Sequence, residues 1–229
     1  MNLSVIIPVY NEINSIGHTV ESVIKYISEN DFFERTEIII VDDGSTDGSI
    51  EIIKNLSDAN PIIKTITHQK NNGVGAALWA GFKKACFENI YWLPADNQVP
   101  ITELNKLLKY IDSNDIVVGN RYKRNDNFLR SVFSRTYSFI INLFFDVKIR
   151  DINATKLFKK KVVDTIDCRI FSGFFDAEFL ILSRRNKFKI IETDVEHQPR
   201  SADSQKGASL KTIFNIITDL IKNIIKYKF

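Results

Sequence analysis

The run Val41-Asp42-Asp43-Gly44-Ser45-Thr46-Asp47-Gly48-Ser49 places three carboxylates, three hydroxyls and two glycines within nine residues. A carboxylate can accept the N–H of a base or the hydroxyl of a ribose, and a turn built on glycine and serine leaves backbone N–H groups able to face an anion. The chemistry this points to is nucleotide handling. A second acid-bearing loop, Pro8-Val9-Tyr10-Asn11-Glu12, opens the chain.

Each loop follows an apolar run. Glu37 to Ile40 and the β-branched stretch Leu3 to Ile7 both read as buried parallel strands. The acids therefore sit at carboxyl ends of strands, where open α/β sheets bind ligands. Hydrophobic periodicity continues the pattern with strand 3–7, helix 15–28, strand 37–41, helix 47–57, strand 62–67, helix 74–87, strand 89–93, helix 101–111 and strand 115–118. This alternation predicts a doubly wound α/β fold. Beyond residue 120 the rhythm changes to a long aromatic helix at 128–145, a strand at 153–158, a helix at 174–185, a strand at 187–192 and a last helix at 207–227.

Val5 to Glu12 and Val41 to Asp47 resemble the opening Val-Ile-Pro-x-Tyr-Asn-Glu and the following Val-Asp-Asp-Gly-Ser-x-Asp of family-2 glycosyltransferases with the GT-A fold. The resemblance continues in order through Asn72-Gly73-Val74-Gly75-Ala76-Ala77, Gly81-Phe82, Ala85 and Val118-Gly119-Asn120-Arg121. Within that family the chain looks most like the polyprenyl-phosphate hexose synthases, such as dolichyl-phosphate mannose synthase. The resemblance implies one GT-A domain, α/β with a mostly parallel central sheet flanked by helices. Residues 1–121 would form the nucleotide-sugar-binding half, 122–206 the acceptor side and 207–229 a C-terminal amphipathic helix.

It also implies an inverting hexosyl transfer from a UDP- or GDP-linked sugar, assisted by Mg²⁺ or Mn²⁺. The leaving diphosphate must be neutralised as its bond to the sugar breaks, and a divalent cation held by oxygen ligands does this. Relatives carry Asp-x-Asp after the fourth strand. Here Tyr91-Trp92-Leu93-Pro94-Ala95-Asp96-Asn97-Gln98 has Pro94 in place of the first acid and keeps Asp96 and Gln98 as candidate ligands. Mg²⁺ keeps several waters and takes one or two carboxylates plus substrate phosphates, so Asp96, Gln98 and the diphosphate could suffice. Asp96 could instead cap the helix near Ile101 or close a turn.

By resemblance, Pro8, Tyr10 and Glu12 line the nucleoside pocket, Asp42 meets the base, and Asp43 lies beside it near ribose or metal. Asn72, Gly73 and Ala95 are further donor contacts, with Gly73 and Gly75 letting the helix pack against the donor pocket. The alternative for Asp43 to Asp47 is an Asx turn and helix N-cap; the cap is the expectation for Asp47 and the base for Asp42. Arg121 closes the fifth strand, where a guanidinium can hold a phosphate oxygen bidentately or make a surface salt bridge. The loop carrying Arg200, Lys206 and Ser209 would fold over the donor diphosphate, or have no role.

On the acceptor side, helix 128–145 has Leu129, Val132, Phe133, Tyr137, Ile140, Leu143 and Phe144 along one stripe and Ser131, Arg135, Ser138 and Asn142 opposite. Such a stripe packs into a core or lies on a bilayer, where Arg130 and Arg135 would grip a lipid phosphate. The C-terminal stripe from Leu210 to Ile225 leaves anchoring, a dimer seam and packing open. Asp151 is the candidate for positioning the acceptor or acting as base, and Glu178 either lines the site or caps structure. A phosphate acceptor needs charge compensation; a saccharide hydroxyl would need Asp151 or Glu178 as base. Loss of the acid at Pro94 also leaves room for a non-catalytic relative that binds nucleotide sugar or docks at a membrane.

The 229 residues suit one domain with a full core. A net charge of +3 is too small to argue for nucleic acid. Lys and Arg crowd into 121–135, 156–161, 184–189 and the C-terminus, as a solvated face or one meeting anionic lipid. Cys86 and Cys168, the two cysteines, have neither disulfide-framework nor zinc spacing and fit a reducing compartment. His68 and His197 read as isolated, structural or exposed. The chain enters a strand by Leu3, which leaves no room for a signal peptide, and no run reaches the roughly 18 apolar residues of a spanning helix. The expectation is a cytoplasmic protein, at most peripheral on the inner face of the cell membrane.

Overall fold

A computed structural model describes residues 1–122, 128–199, 222–223 and 227, with backbone alone for 128–131. Strands β1 (Asn2–Val9), β2 (Arg35–Asp42), β3 (Ile63–Thr67), β4 (Asn89–Trp92), β5 (Ile116–Tyr122), β6 (Lys156–Lys159) and β7 (Ile190–Glu196) form one sheet in the order β3-β2-β1-β4-β6-β5-β7. Pairs β1·β2, β1·β4, β2·β3 and β5·β7 are parallel. β6 runs antiparallel between β4 and β5. Its first residues, not its last, thus meet the carboxyl ends of the parallel strands.

The inner strands are apolar on both faces, as parallel strands covered on two sides must be. Val5, Ile6 and Ile7, like Ile38 to Val41, have no exposed surface. Successive side chains alternate: Ile6, Ile39 and Val41 join a core with α3 (Val74–Lys84), α5 (Phe128–Phe145), α6 (Lys160–Thr165) and α7 (Phe175–Arg185). Val5, Ile7, Ile38 and Ile40 join the opposite core with α1 (Ile16–Ser28), α2 (Ser49–Ala59) and α4 (Leu104–Ile111).

Several boundaries differ from the sequence expectation. α2 starts at Ser49, not 47, because the Asp47 carboxylate receives the Ser49 N–H at 3.0 Å and Gly48 sits at φ 94°. α3 stops at Lys84 because Ala85 turns extended and the Cys86 N–H goes to Glu37 at 2.7 Å. The expected helix 101–111 opens with a 3-10 turn, Ile101–Glu103. The segment 151–155 turns, and β6 begins only at Lys156. β7 is shifted to Ile190–Glu196 by a left-handed residue, Lys187 at φ 62°, and by its register on β5.

The expected face of α5 is also corrected. Tyr137, Ser138 and Ile141 turn inward, while Val132, Phe133, Leu143 and Phe144 are exposed along with Phe139. The inward side meets loop segments, with the Tyr137 hydroxyl donating to the Gly173 carbonyl and Ser138 Oγ accepting the Ile152 N–H, and most of the aromatic stripe stays outside. The expected C-terminal helix lies outside the described residues except at 222, 223 and 227, which are helical. Among the described residues no helix is long and apolar enough to cross a membrane.

Candidate active site

A cavity of about 410 Å³ opens at the carboxyl ends of β1, β2 and β4, within the size range of small-molecule sites. Pro8, Tyr10 and Glu12 come from the loop after β1, Asp43 from that after β2, and Trp92, Pro94, Ala95 and Asp96 from the end of β4 and its loop. Asn71, Gly73, Val74 and Ala77 close one side; Asn153, Ser172, Gly173 and Asp176 close the other. Glu12, Asp43, Asp96 and Asp176 are thus all on the wall, Asp176 with the buried Lys156 ammonium behind it at 2.5 Å.

The Asp-Asp-Gly-Ser turn is chiefly a clamp. Ser45 N–H goes to Asp42 at 3.2 Å, Thr46 N–H to Asn11 Oδ1 at 2.8 Å and Ser49 N–H to Asp47 at 3.0 Å. These N–H groups, expected to face an anion, are spent within the protein. In return Ser45 Oγ accepts the Asn11 N–H, Ser49 Oγ the Glu12 N–H and Asp47 the Ile13 N–H, at 3.0, 3.0 and 3.1 Å. The loop bearing Tyr10 and Glu12 is tied to the turn, with Asn11 held at φ 54°. Asp47 acts one residue outside the expected cap, since Gly48 is the N-cap.

The neighbouring aspartates divide. Asp42 is 1% exposed, braces its own turn and is not on the cavity wall. Asp43 lines the cavity and receives Asn72 N–H at 3.0 Å and Gly73 N–H at 2.8 Å, with His68 Nδ1 at 2.7 Å. His68, read as isolated, is therefore Asp43's partner. Gly73 sits at φ 95°, open to glycine, and caps α3. A Cβ on Gly75 would lie 2.6 Å from Phe175 Cβ and 2.9 Å from the Phe171 carbonyl, so α3 and α7 approach as closely as a missing side chain permits.

The other expected residues fall as follows. Asp96 is on the wall and receives the Gln98 N–H at 3.1 Å. Gln98 is buried and away from the wall; its Nε2 donates to the Gln198 carbonyl at 3.4 Å. Arg121 and Asp151 meet each other, Nε to Oδ2 at 2.7 Å and Nη2 to Oδ1 at 2.9 Å. A guanidinium occupying both carboxylate oxygens is a poor starting point for proton abstraction. Arg135 is exposed on α5. The side chain of Arg130, and Arg200, Lys206 and Ser209, lie outside the described residues.

Sequence reasoning missed Trp92, Asn153, Ser172, Gly173 and Asp176 as wall residues. It looked to Glu178, which lies two residues along α7 and so about 200° around the helix from Asp176. Glu178 has no exposed surface and receives the Arg169 and Ile170 N–H groups at 3.0 and 2.7 Å, with the Tyr227 hydroxyl.

Among the described residues no three His, Cys, Asp or Glu side chains gather closely enough to hold a metal ion. A hard divalent cation fits at Asp96 if water and donor phosphates complete its shell. Gln98, the other candidate ligand, is not on the cavity wall.

A mostly parallel sheet with one antiparallel strand within it and an acid-lined cavity at its strand ends fits the GT-A class of glycosyltransferase folds. The chain belongs to glycosyl transferase family 2, whose family model matches residues 4–177. It is 32% identical over 224 residues to an undecaprenyl-phosphate 4-deoxy-4-formamido-L-arabinose transferase of Pectobacterium carotovorum, covering 96% of this chain and 66% of that protein. The chain thus spans just under two thirds of that relative. Its fold is similar to glucosyl-3-phosphoglycerate synthase of Mycobacterium tuberculosis in complex with Mn²⁺, UDP and phosphoglyceric acid, with TM-score 0.71 and 15% identity over 97% of this chain and 78% of that one. A mannosyltransferase of Pyrobaculum calidifontis in complex with GDP-Man and Mn²⁺ gives TM-score 0.67 and 18% identity over 98% and 64%.

Proposed function

We propose that this chain moves a glycosyl unit from a UDP- or GDP-linked sugar to a polyprenyl phosphate, with inversion, in building a cell-envelope glycan. The observation that carries this reading is the wall itself: four carboxylates, Glu12, Asp43, Asp96 and Asp176, gathered at the carboxyl ends of the strands. A wall this rich in carboxylates suits a diphosphate that arrives with a divalent cation. Mg²⁺ or Mn²⁺ at Asp96 would supply charge neutralisation to the leaving diphosphate.

Pro8, Tyr10 and Glu12 bind the nucleoside, Asp43 holds the Asn72–Gly73 loop and faces the ribose, and Asp42 fixes the turn from beneath. Ala95 and Asp96 border the diphosphate. An acceptor phosphate oxygen attacks the anomeric carbon as the bond from that carbon to the diphosphate breaks. The acceptor is already anionic, so the step needs orientation more than a base. Asp151, engaged by Arg121, supports that choice over a saccharide hydroxyl. Arg130 and Arg135 compensate the acceptor charge, and Arg200, Lys206 and Ser209 close over the donor. The exposed apolar stripe of α5 supports peripheral contact with the inner face of the membrane, where a polyprenyl acceptor resides.

Calorimetric titration of UDP and GDP, with and without Mn²⁺, on the parent and Asp96→Ala is the test. Metal-dependent binding of one nucleotide, lost in the variant, is expected, followed by transfer from the matching sugar to undecaprenyl phosphate. Absence of binding by either nucleotide under any metal refutes the reading. Binding without transfer points to the non-catalytic alternative.

A further inference from the structure

The far wall of the cavity is backed by a lysine with no donor left for a ligand. Lys156 opens β6 opposite Trp92 and is 1% exposed. Its ammonium donates to the Ile152 and Ala154 carbonyls, each at 2.8 Å, and to Asp176 Oδ1 at 2.5 Å. These acceptors use all three donors of an ammonium. Nζ also lies 5.5 Å from the centre of the Trp92 ring.

Asp176 and Trp92 are both on the cavity wall, as is Asn153 within the turn that Lys156 grips. The second oxygen of Asp176 has no partner among the described residues, and its side chain is 13% exposed. Burial pushes the Lys156 pKa below the ordinary lysine value, with the charge of Asp176 opposing. A buried ion pair adds little net stability over an apolar pair of the same size. Its place behind a ligand cavity calls for a different account.

We infer that Lys156 is a positioning residue: it fixes Asp176 and the 152–154 turn so that the cavity presents a carboxylate oxygen to the hydroxyl groups of the bound glycosyl unit. A carboxylate accepts from hydroxyls and repels anions, so the unit it favours is hydroxylated and uncharged. The inference rests on the donor reading above and concerns the sugar portion alone.

The test compares, in Mn²⁺, the affinities of UDP and GDP with those of UDP-glucose, UDP-galactose, UDP-N-acetylglucosamine and GDP-mannose. In the parent the best nucleotide sugar is expected to bind more tightly than its nucleotide. In Lys156→Met the nucleotide affinity stays within about threefold, while the sugar's advantage falls roughly tenfold, the loss of a hydrogen bond to a charged group. A merely structural lysine would move both affinities together or neither. If Lys156→Met does not fold, Lys156→Met/Asp176→Leu removes both charges at once, which a buried pair tolerates, and the same selective loss is expected. Retention of the sugar's advantage in either folded variant overturns the inference. So does a parent that binds nucleotides but gains nothing from any sugar, an outcome that leaves the donor site standing. A parent that binds no nucleotide defeats the donor reading and this inference with it.

Discussion

Replacing Asp43 by Asn tests how the cavity is built. Asp43 is 3% exposed and takes two backbone N–H groups, from Asn72 at 3.0 Å and Gly73 at 2.8 Å, beside His68 at 2.7 Å. Asparagine keeps the shape but offers a single acceptor oxygen and an NH₂, so one of the two N–H groups must face another donor. Hydrogen bonds to a charged group are worth about 1.5–3 kcal/mol each. Losing one and weakening another gives roughly 2–4 kcal/mol. With a urea m-value of about 1–3 kcal/mol/M, the unfolding midpoint should fall by roughly 1–2 M. The same change loosens the Asn72–Gly73 turn on the cavity side, although the Gly73 N–H keeps Asn71 Oδ1 at 3.0 Å, so UDP or GDP affinity should fall as well. Urea unfolding followed by circular dichroism reads the first effect and calorimetry the second. A variant within about 0.5 kcal/mol of the parent refutes the brace, because uninvolved surface changes fall in that range.

Gly75→Ala gains about 1 kcal/mol of helix propensity, but its methyl would meet Phe175 Cβ at 2.6 Å and the Phe171 carbonyl at 2.9 Å, neither the end of a flexible side chain. Overpacking at the upper end, about 3 kcal/mol, should win, a net loss of about 2 kcal/mol that lowers Tm by roughly 4–8 °C in differential scanning; an unchanged or raised Tm contradicts the close approach. Glu37→Gln reports on the other end of the strands, away from the cavity. Burial works to raise the Glu37 pKa, but hydrogen bonds from Lys64, Ser4 and the Cys86 N–H outweigh it and hold the carboxyl below its ordinary 4.5. A depressed pKa stabilises fully above that value and loses its effect as pH falls through the folded pKa. The variant should therefore be about 1–3 kcal/mol less stable at pH 7, with the gap narrowing below pH 4.5; a gap independent of pH contradicts the charge assignment. Phe139→Glu/Leu143→Glu alters side chains 65% and 68% exposed, so stability should hold while cosedimentation with vesicles of phosphatidylglycerol and phosphatidylethanolamine drops; unchanged sedimentation excludes α5 as the membrane face.

Much of the scaffold is legible because apolar periodicity is a local property. The runs at Leu3 to Ile7 and Glu37 to Ile40 fall in strands, and the acids that follow fall in the loops beyond them. Side-chain direction is less local. Whether Asp42 or Asp43 faces the cavity depends on where β2 leaves its pleat, and Asp176 and Glu178 exchange roles by their angle around α7. Partners far apart in sequence are harder still: Arg121 with Asp151, His68 with Asp43 and Lys156 with Asp176 meet only once strand order is known. The stripe of α5 has the right period, but the period does not say how wide a strip the protein covers.

The reversed strand β6 has a consequence for how the chain folds. β4 and β5 are not neighbours; each pairs with β6, whose residues lie more than 30 positions beyond the end of β5. Until Lys159 leaves the ribosome, β4 is an open edge and β5 has no strand on either side. The first 122 residues therefore cannot finish their sheet ahead of the residues that follow. A fragment ending at residue 122 should expose unpaired strand edges and aggregate, and dividing the chain there into two separately folding pieces would fail at the sheet before any question of catalysis arose.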